Sequence, residues 1–412
     1  MLNAIWAGFL LIAFAGAVFQ FFVLGQGDIF ALVMRAAFDS AKTGFEVALG
    51  LTGVMALWLG VMKIGERAGF LDLLARMLAP LFSRLFPDVP KGHPALGSIT
   101  MNMAANMLGL DNAATPMGLK AMKELHELNP DKTTASNAQI LFLVLNASSV
   151  TILPVTIFTY RAQLGAADPT DVFIPILMAT YCSTLVGLLA VSFYQRLRLF
   201  DPVVLAWLSG ITLVVGGMAA YFSALPAAQM ASHSAVLSNF LLLTVVAVFL
   251  IGAVVKRVNA YEAFIEGAKD GFHTAVTIIP YLVAMLVAIG MLRASGALPA
   301  FVELAKAAVH ALGFDAAWLD ALPTMLVKPL SGSGARAMMI ETMQMYGADS
   351  FAGRLASIVQ GSTETTFYVL AVYFGAVGIQ RARHAVACGL LADLAGFVAA
   401  VFVAYLFFGA LI

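Results

Sequence analysis

Long apolar runs constrain this chain more than any other feature of its sequence. Residues 9–24, 203–225 and 397–412 each form such a run. About 18 or more apolar residues with few charges can cross a bilayer as a helix, and backbone groups in lipid must be hydrogen-bonded within the segment. The chain is 61% hydrophobic and 11% charged, whereas a typical soluble domain is about 25% charged. The sequence therefore predicts an all-α polytopic membrane protein.

Several classes of function find no support in the sequence. The net charge is zero, with 23 basic and 23 acidic residues, and no basic patch suggests a nucleic-acid partner. Cys182 and Cys388 lie inside apolar runs, where cysteine usually acts as a small buried hydrophobe. No group of residues has metal-ligand spacing, and no nucleophile–base pair or nucleotide loop is visible. We therefore expect neither an enzyme nor a bound metal or cofactor.

The two halves of the chain resemble each other. A shift of 227 places Ala41, Lys42, Gly44 and Phe45 on Ala268, Lys269, Gly271 and Phe272, and a shift of 214 places Ser148, Thr151 and Val155 on Ser362, Thr365 and Val369. Two ungapped matches in the same order predict an internal repeat. We assign residues 1–200 to the first repeat, 201–230 to a linking span and 231–412 to the second repeat.

Each half is predicted to contain four spans and one broken segment. The predicted spans are residues 3–24, 45–64, 137–160, 171–195, 203–224, 235–255, 272–292, 352–378 and 384–411. The broken segments, 93–118 and 320–338, are rich in Gly, Ser, Asn and Pro, and we interpret them as re-entrant helical hairpins. Four spans per half and one linking span give about nine full spans, and they place the second repeat upside down relative to the first.

Loop charge gives this topology an orientation. One side carries most of the lysines and arginines, among them Lys120, Lys123, Arg196 and Arg198. Basic loop residues are enriched on the cytoplasmic side of membrane proteins. The N-terminus is therefore predicted to be cytoplasmic and the C-terminus outside.

Polar side chains inside apolar spans are the first candidate site residues, because such groups are costly in lipid and usually face a cavity or a partner. Gln360, Thr363 and Glu364 are spaced i, i+3 and i+4, which would place them on one helix face. This face suits a cation, a proton or a polar solute. The alternative is a packing network in which Lys328 or Arg336 pairs with Glu364. The repeat counterpart around Asn146 is polar but lacks an acid.

The broken segments supply further candidates, because Gly and Pro free backbone groups that can bind ions or solutes at helix ends. Alternatively they are ordinary loops in which Asp111 or Asn112 caps the next helix. Asp393 is a second intramembrane acid that either joins a relay or only accepts a hydrogen bond. The candidate substrate- or ion-binding residues are Asn106, Asp111, Asn112, Thr115, Asn146, Ser148, Ser149, Ser331, Ser333, Gln360, Ser362, Thr363, Glu364 and Thr365.

These motifs resemble a known family. The string Gly-Leu-Asp-Asn-Ala-Ala-Thr-Pro-Met-Gly-Leu-Lys-Ala-Met at 109–122 is similar to spore maturation protein A. Pro-Leu-Ser-Gly-Ser-Gly-Ala at 329–335 and Gln-Gly-Ser-Thr-Glu-Thr-Thr-Phe-Tyr at 360–368 are similar to spore maturation protein B. The chain thus looks like a fusion of the two, in the nucleoside recognition group of Gate-domain membrane proteins. The Gln-Gly-Ser-Thr-Glu string also resembles the Gln-Thr-Glu motif of concentrative nucleoside transporters.

The resemblance, together with the intramembrane polar groups, predicts a secondary transporter or permease of the bacterial cytoplasmic membrane. Its solute would be small and polar, nucleoside-like or another metabolite, and its coupling ion Na⁺ or H⁺. The alternative is a non-transporting membrane factor for spore or envelope maturation. The expected partners are the lipid bilayer and the solute, and the sequence leaves a homo-oligomer open.

Overall fold

The computed structural model describes residues 2–149 and 151–411, and this part of the chain is helical without strands. The helices are α1 (Leu2–Phe22), α2 (Ile29–Arg67), α3 (Phe70–Leu85), α4 (Pro94–Met107), α5 (Asp111–Leu128), α6 (Asn137–Ala147), α7 (Val155–Gln163), α8 (Phe173–Gln195), α9 (Pro202–Ser223), α10 (Ala227–Val255), α11 (Ala260–Ala294), α12 (Ala297–Ala311), α13 (Leu322–Val327), α14 (Gly332–Tyr346), α15 (Phe351–Ser362), α16 (Thr366–Ala376) and α17 (Ala385–Phe408), with short 3₁₀ helices at Ala317–Ala321 and Gly409–Leu411. In these ranges seven helices are long and apolar enough to cross a membrane. The predicted all-α polytopic membrane fold is confirmed.

Two of the predicted spans are interrupted. The span 137–160 forms α6 and α7, and the span 352–378 forms α15 and α16. Helix α15 ends at Ser362, and Thr363 is extended, with φ −143° and ψ 165°. The prediction that Gln360, Thr363 and Glu364 share one helix face is therefore wrong. The Ser362 hydroxyl bonds the Val359 carbonyl at 2.9 Å, a local bond that competes with helix continuation.

The long helices α2 and α11 cross closely. Gly267 lies against Leu59 of α2, and near the other end of the crossing Gly44 lies against Val283. Residue numbers fall on one helix as they rise on the other, so the two helices are antiparallel. A Cβ on Gly267 would overlap the Leu59 carbonyl oxygen, so the close approach depends on the missing side chain.

The order of helices is the same on both sides of α9, and the contacts at the start of each half correspond. At the end of α1, the Gln20 amide donates to the Ser295 carbonyl at 2.5 Å, beside the Gly296 turn. At the end of α10, Phe249 packs against Gly65, and Lys256 lies beside the Gly69 turn. The first helix of each half therefore packs at the end of the long helix of the other half.

Two further links join the halves at their loops. At one, the fully buried Arg161 guanidinium bonds Asp171 at 2.8 Å and Asp349 at 3.2 Å, and Arg354 bonds Asp171 at 2.7 Å. At the other, the backbone N–H groups of Gln380 and Arg381 both donate to the Thr133 carbonyl. One link is thus a charge cluster, and the other is made by backbone hydrogen bonds.

The loop at the second link is ordered by a carboxylate. Asp131 accepts hydrogen bonds from the backbone N–H and hydroxyl of Thr133, both at 2.9 Å, and from the Thr134 N–H. These bonds, the Thr133 backbone N–H first, lower the pKa of Asp131 to about 2. The ionised carboxylate therefore holds the turn whose Thr133 carbonyl binds the other half.

Candidate solute site at two broken helices

Each predicted broken segment folds as a helical hairpin with its tip against an interrupted span. Residues 93–118 lie in α4 and α5, joined at 108–110, and the Met107 carbonyl accepts from Ile152 N–H at 2.9 Å. Residues 328–331 join α13 and α14, and the Pro329 carbonyl accepts from Phe367 N–H at 3.0 Å. In both halves a carbonyl at the tip thus binds an N–H just past the helix break.

The two breaks lie side by side. Glu364 N–H, in the break of the second half, donates to the Ala147 carbonyl at the end of α6 at 2.8 Å. In the first break Ser149 has a positive φ of 53°, and its carbonyl accepts from the Thr180 hydroxyl of α8. The Ala147 and Ser149 carbonyls at the first break are therefore bound by the second half and by α8, respectively.

A network of buried amides lies beside the first break. The Asn106 amide donates to the Asn146 side-chain oxygen at 2.9 Å, and the Tyr373 hydroxyl donates to the same oxygen at 3.3 Å. The Asn102 amide bonds the Ala114 carbonyl at 2.7 Å. Asn102 and Tyr373 were missed in the sequence. A signal for Asn102 was its position four residues before Asn106, on the same helix face.

The second break carries buried oxygens without partners. Gln360 Oε1, Thr363 Oγ1 and Thr365 Oγ1 have no hydrogen-bond partner in the described part of the chain. At the nearby hairpin tip Ser331 caps α14, since its hydroxyl accepts from Gly334 N–H at 3.0 Å, and it lies 3.3 Å from the Ser333 hydroxyl. Unsatisfied buried polar atoms are costly, so these oxygens are candidates for binding water, an ion or a solute.

The remaining predicted residues are distributed around these clusters. The Ser148 hydroxyl bonds the Leu145 carbonyl at 3.1 Å, so it is occupied within its own helix, as is that of Ser362. Thr115 is exposed on α5. Helix α5 begins at Asp111, but the side chains of Asp111 and Asn112 lie outside the described residues.

Glu364 lies between the two clusters. Its side chain is exposed, and its carboxylate is within electrostatic range of Tyr373 in the amide network and of Asp393 on α17. Arg336 and Lys328, the two basic residues that the sequence suggests as partners of Glu364, also have other neighbours. The Arg336 guanidinium lies 5.6 Å from the Tyr160 ring centre, and Lys328 is within electrostatic range of Asp393.

A cavity of about 250 Å³ adjoins the first hairpin tip. It is enclosed by α2, α7, α11 and the tip residues Gly109 and Leu110, and its polar lining includes Lys63, Thr159 and Asp270. The size suits a small molecule rather than a large one, because drug-sized pockets begin near 300 Å³.

The comparison with known proteins now identifies the family. The family model described as nucleoside recognition, the Gate family, matches residues 48–164 and 275–380. This chain belongs to the nucleoside recognition (Gate) family. The two matched ranges include both hairpin tips and both helix breaks. The predicted resemblance is confirmed.

Two relatives of this Gate protein come from Bacillus subtilis (strain 168). Spore maturation protein B is 49% identical over 165 residues, covering 40% of this chain and 91% of the relative. Spore maturation protein A is 40% identical over 183 residues, covering 44% of this chain and 90% of the relative. The chain therefore spans nearly the whole length of each relative with less than half of its own.

Proposed function

We propose that this Gate protein is a secondary transporter or permease whose small polar solute binds between the two broken helices. The observation that carries the proposal is the Glu364 N–H bond to the Ala147 carbonyl, which places the two breaks in contact. Non-helical backbone at membrane depth is tolerated only where it is buried in protein or lines a cavity. In secondary transporters, paired broken helices of this kind form the solute and ion sites.

The proposal includes the architecture of two inverted repeats, residues 1–200 and 231–412, joined by a span in 201–230. The antiparallel crossing of α2 and α11 supports an axis in the membrane plane. The same proposal places the N-terminus in the cytoplasm, the C-terminus outside, and the two hairpins as re-entrant from opposite faces. Alternating access would then consist of one hairpin tip opening while the other stays against its break.

The polar groups at the two breaks favour a solute with both hydrogen-bond donors and acceptors. The network supplies the Asn102 and Asn106 amides and the Tyr373 hydroxyl, and the second break supplies the unpartnered oxygens of Gln360 and Thr363. Such groups suit hydroxyl- and amide-bearing metabolites, of which nucleosides are one class. The family description, nucleoside recognition, supports that class.

Thermal stabilisation of the purified protein tests the proposal. Nucleosides, amino acids, carboxylates and metal ions would be screened, and we expect at least one polar metabolite class to raise the melting temperature. Asn106→Ala should abolish the shift, because it removes a donor from the Asn146 oxygen. Asn239→Ala, which loses an exposed bond to Asp168, is the control and should retain it.

Flux measurements in proteoliposomes separate transport from binding. A hit from the screen should cross the bilayer in vesicles with the wild-type protein and not in vesicles with the Asn106→Ala variant. The second candidate function is a non-transporting factor for spore or envelope maturation, which the names of the two relatives favour. Stable, correctly inserted protein that neither binds nor moves any screened solute would favour that candidate.

A further inference from the structure

Asp393 on α17 is a buried acid that the solute site does not use. Its side chain is 1% exposed. One carboxylate oxygen accepts from the Thr366 hydroxyl at 2.7 Å, and the other, Oδ1, has no hydrogen-bond partner in the ranges 2–149 and 151–411. The Thr363 hydroxyl lies beside the same carboxylate, and it too lacks a hydrogen bond of good geometry there.

The first half has a different group at the matching place. Gly187 of α8 packs against Ser148 at the first break, and Gly396 of α17 packs against Ser362 at the second. Three residues before these glycines lie Thr184 and Asp393, respectively. The Thr184 hydroxyl lies 3.5 Å from the Ser148 carbonyl and is a donor. The second break therefore has an acid where the first has a neutral hydroxyl.

The charge of Asp393 has a partner at the second hairpin tip. Lys328 is 2% exposed, and its ammonium group is within electrostatic range of the Asp393 carboxylate, as is the exposed Glu364 carboxylate. A groove of about 510 Å³ that reaches the tip residue Pro329 separates α13 from α17, and Asp393 is the polar member of its otherwise apolar lining. The attraction between Lys328 and Asp393 thus connects the hairpin tip to α17, beside the groove that separates α13 from α17.

From this geometry we propose that Asp393 binds a monovalent cation, Na⁺ or a proton, and that this cation competes with the Lys328 ammonium for the carboxylate. The free Asp393 oxygen and the adjacent Thr363 hydroxyl offer oxygen ligands, and the same break carries the unpartnered oxygens of Gln360 and Thr365. Oxygen ligands suit a hard cation. A charge in the membrane interior requires compensation. Lys328 supplies it when the cation is absent, and cation binding displaces the Lys328 ammonium from the Asp393 carboxylate.

The role of this cation in driving transport rests on the proposed function, but cation binding itself does not require transport. The first test is therefore made without solute. The melting temperature of the purified protein would be measured in NaCl and in choline chloride at equal ionic strength, between pH 5 and 9. For a sodium site, we expect Na⁺ to raise the melting temperature by about 2 °C or more. For a proton site, we expect the melting temperature to change with pH through a single midpoint.

The variant Asp393→Asn should remove whichever dependence the wild type shows. Asp39→Asn is the matched control, because Asp39 is exposed and pairs with the neighbouring, exposed Arg35 at 3.8 Å. An effect of Na⁺ at fixed pH assigns the site to sodium, and a pH effect without one assigns it to the proton. If Asp393→Asn and wild type respond equally, the proposal is overturned, whatever the solute screen shows.

Competition with Lys328 gives a second test. Lys328→Met removes the tethered positive charge, so the apparent cation affinity should rise at least about tenfold, whereas Lys328→Arg should leave it near the wild-type value. An unchanged or weaker affinity in a folded Lys328→Met protein contradicts the exchange.

The wild-type chain offers a readout if Asp393→Asn does not fold. Dicyclohexylcarbodiimide reacts with protonated carboxyl groups in apolar surroundings, and mass spectrometry locates the adduct. Labelling of Asp393 should fall as Na⁺ or pH rises. Labelling at Asp393 that is independent of both would contradict cation binding.

Discussion

The backbone N–H of Glu364 and the carbonyl of Ala147 are joined by a hydrogen bond of 2.8 Å, and this bond connects the interruptions of α15–α16 and α6–α7. It forms between backbone atoms, so the contact between the two halves does not depend on the Glu364 side chain. The carboxylate is consequently available for another role at the point where the halves meet.

The crossing of α2 and α11 should be intolerant of side chains at its glycines. A Cβ on Gly267 would overlap the Leu59 carbonyl oxygen, whereas Gly53 has no atom within 4 Å of the corresponding position. Gly267→Ala should cost about 1–3 kcal/mol, the typical penalty of overpacking. Gly53→Ala should be neutral or stabilise by up to about 1 kcal/mol, because alanine favours helix. Unfolding in mixed detergent measures both, and equal stability of the two variants would contradict the crossing.

The charge cluster around Arg161 should contribute strongly to stability. The Arg161 side chain is 0% exposed between Asp171 and Asp349, so Arg161→Met removes the buried cation that both carboxylates share and leaves only Arg354 beside them. This loss should cost about 3–5 kcal/mol. Arg35→Met, which removes an exposed pair with Asp39 at 3.8 Å, should cost about 0–1 kcal/mol. The same unfolding assay compares them, and a loss below 1 kcal/mol for Arg161→Met would show that the cluster is not holding the halves together.

The turn around Asp131, at the second link between the halves, should have a stability that depends on pH. The pKa of Asp131 is lowered to about 2 by its hydrogen bonds, so the ionised form stabilises the folded turn above the ordinary value near 4, and this contribution is lost as the pH falls toward 2. At neutral pH, Asp131→Ala should speed amide exchange at Gln380 and Arg381, which bind the Thr133 carbonyl. Unchanged exchange at these amides would show that Asp131 does not order the link.

The topology can be tested with tags. A tag at the C-terminus should be accessible from outside the cytoplasmic membrane, and one in the loop near Arg196 only from inside. Accessibility to a membrane-impermeant reagent in intact and opened cells distinguishes the sides. The reverse pattern would rule out the proposed orientation, and both tags on one side would rule out an odd number of spans between Arg196 and the C-terminus.

Much of the fold could be predicted, because the length of an apolar run and the glycines that recur in both halves can be read directly from the sequence. The runs that form α1, α9 and α17 are visible as hydrophobicity alone. Helix α2 is longer than the span predicted at 45–64. In the structure it is one helix of 39 residues, and Ser40 is buried against Gly290 of α11. That partner lies 250 residues away in the sequence, where no local pattern shows it.

The site was predicted in its composition but not in its geometry. The strings around Asn146 and Gln360 stand out as polar groups in apolar surroundings, and both lie at the breaks. The break at Thr363 could not be located, because the residues 362–366 contain neither Gly nor Pro. It is held by long-range bonds, Glu364 N–H to Ala147 and Phe367 N–H to Pro329, which only the folded chain provides.

The variant Glu364→Gln tests whether the exposed carboxylate couples solute to cation. It keeps the backbone bond to Ala147 and the size of the side chain, so the protein should fold, insert and bind solute with stability within about 0.5 kcal/mol of wild type. Because Glu364 is within electrostatic range of both Tyr373 and Asp393, solute binding should no longer depend on Na⁺ or pH. Glu303→Gln, at an exposed position on α12, should keep the wild-type dependence. Titration of solute binding at several Na⁺ concentrations and pH values gives the comparison, and full dependence in well-folded Glu364→Gln protein would remove this residue from the coupling mechanism.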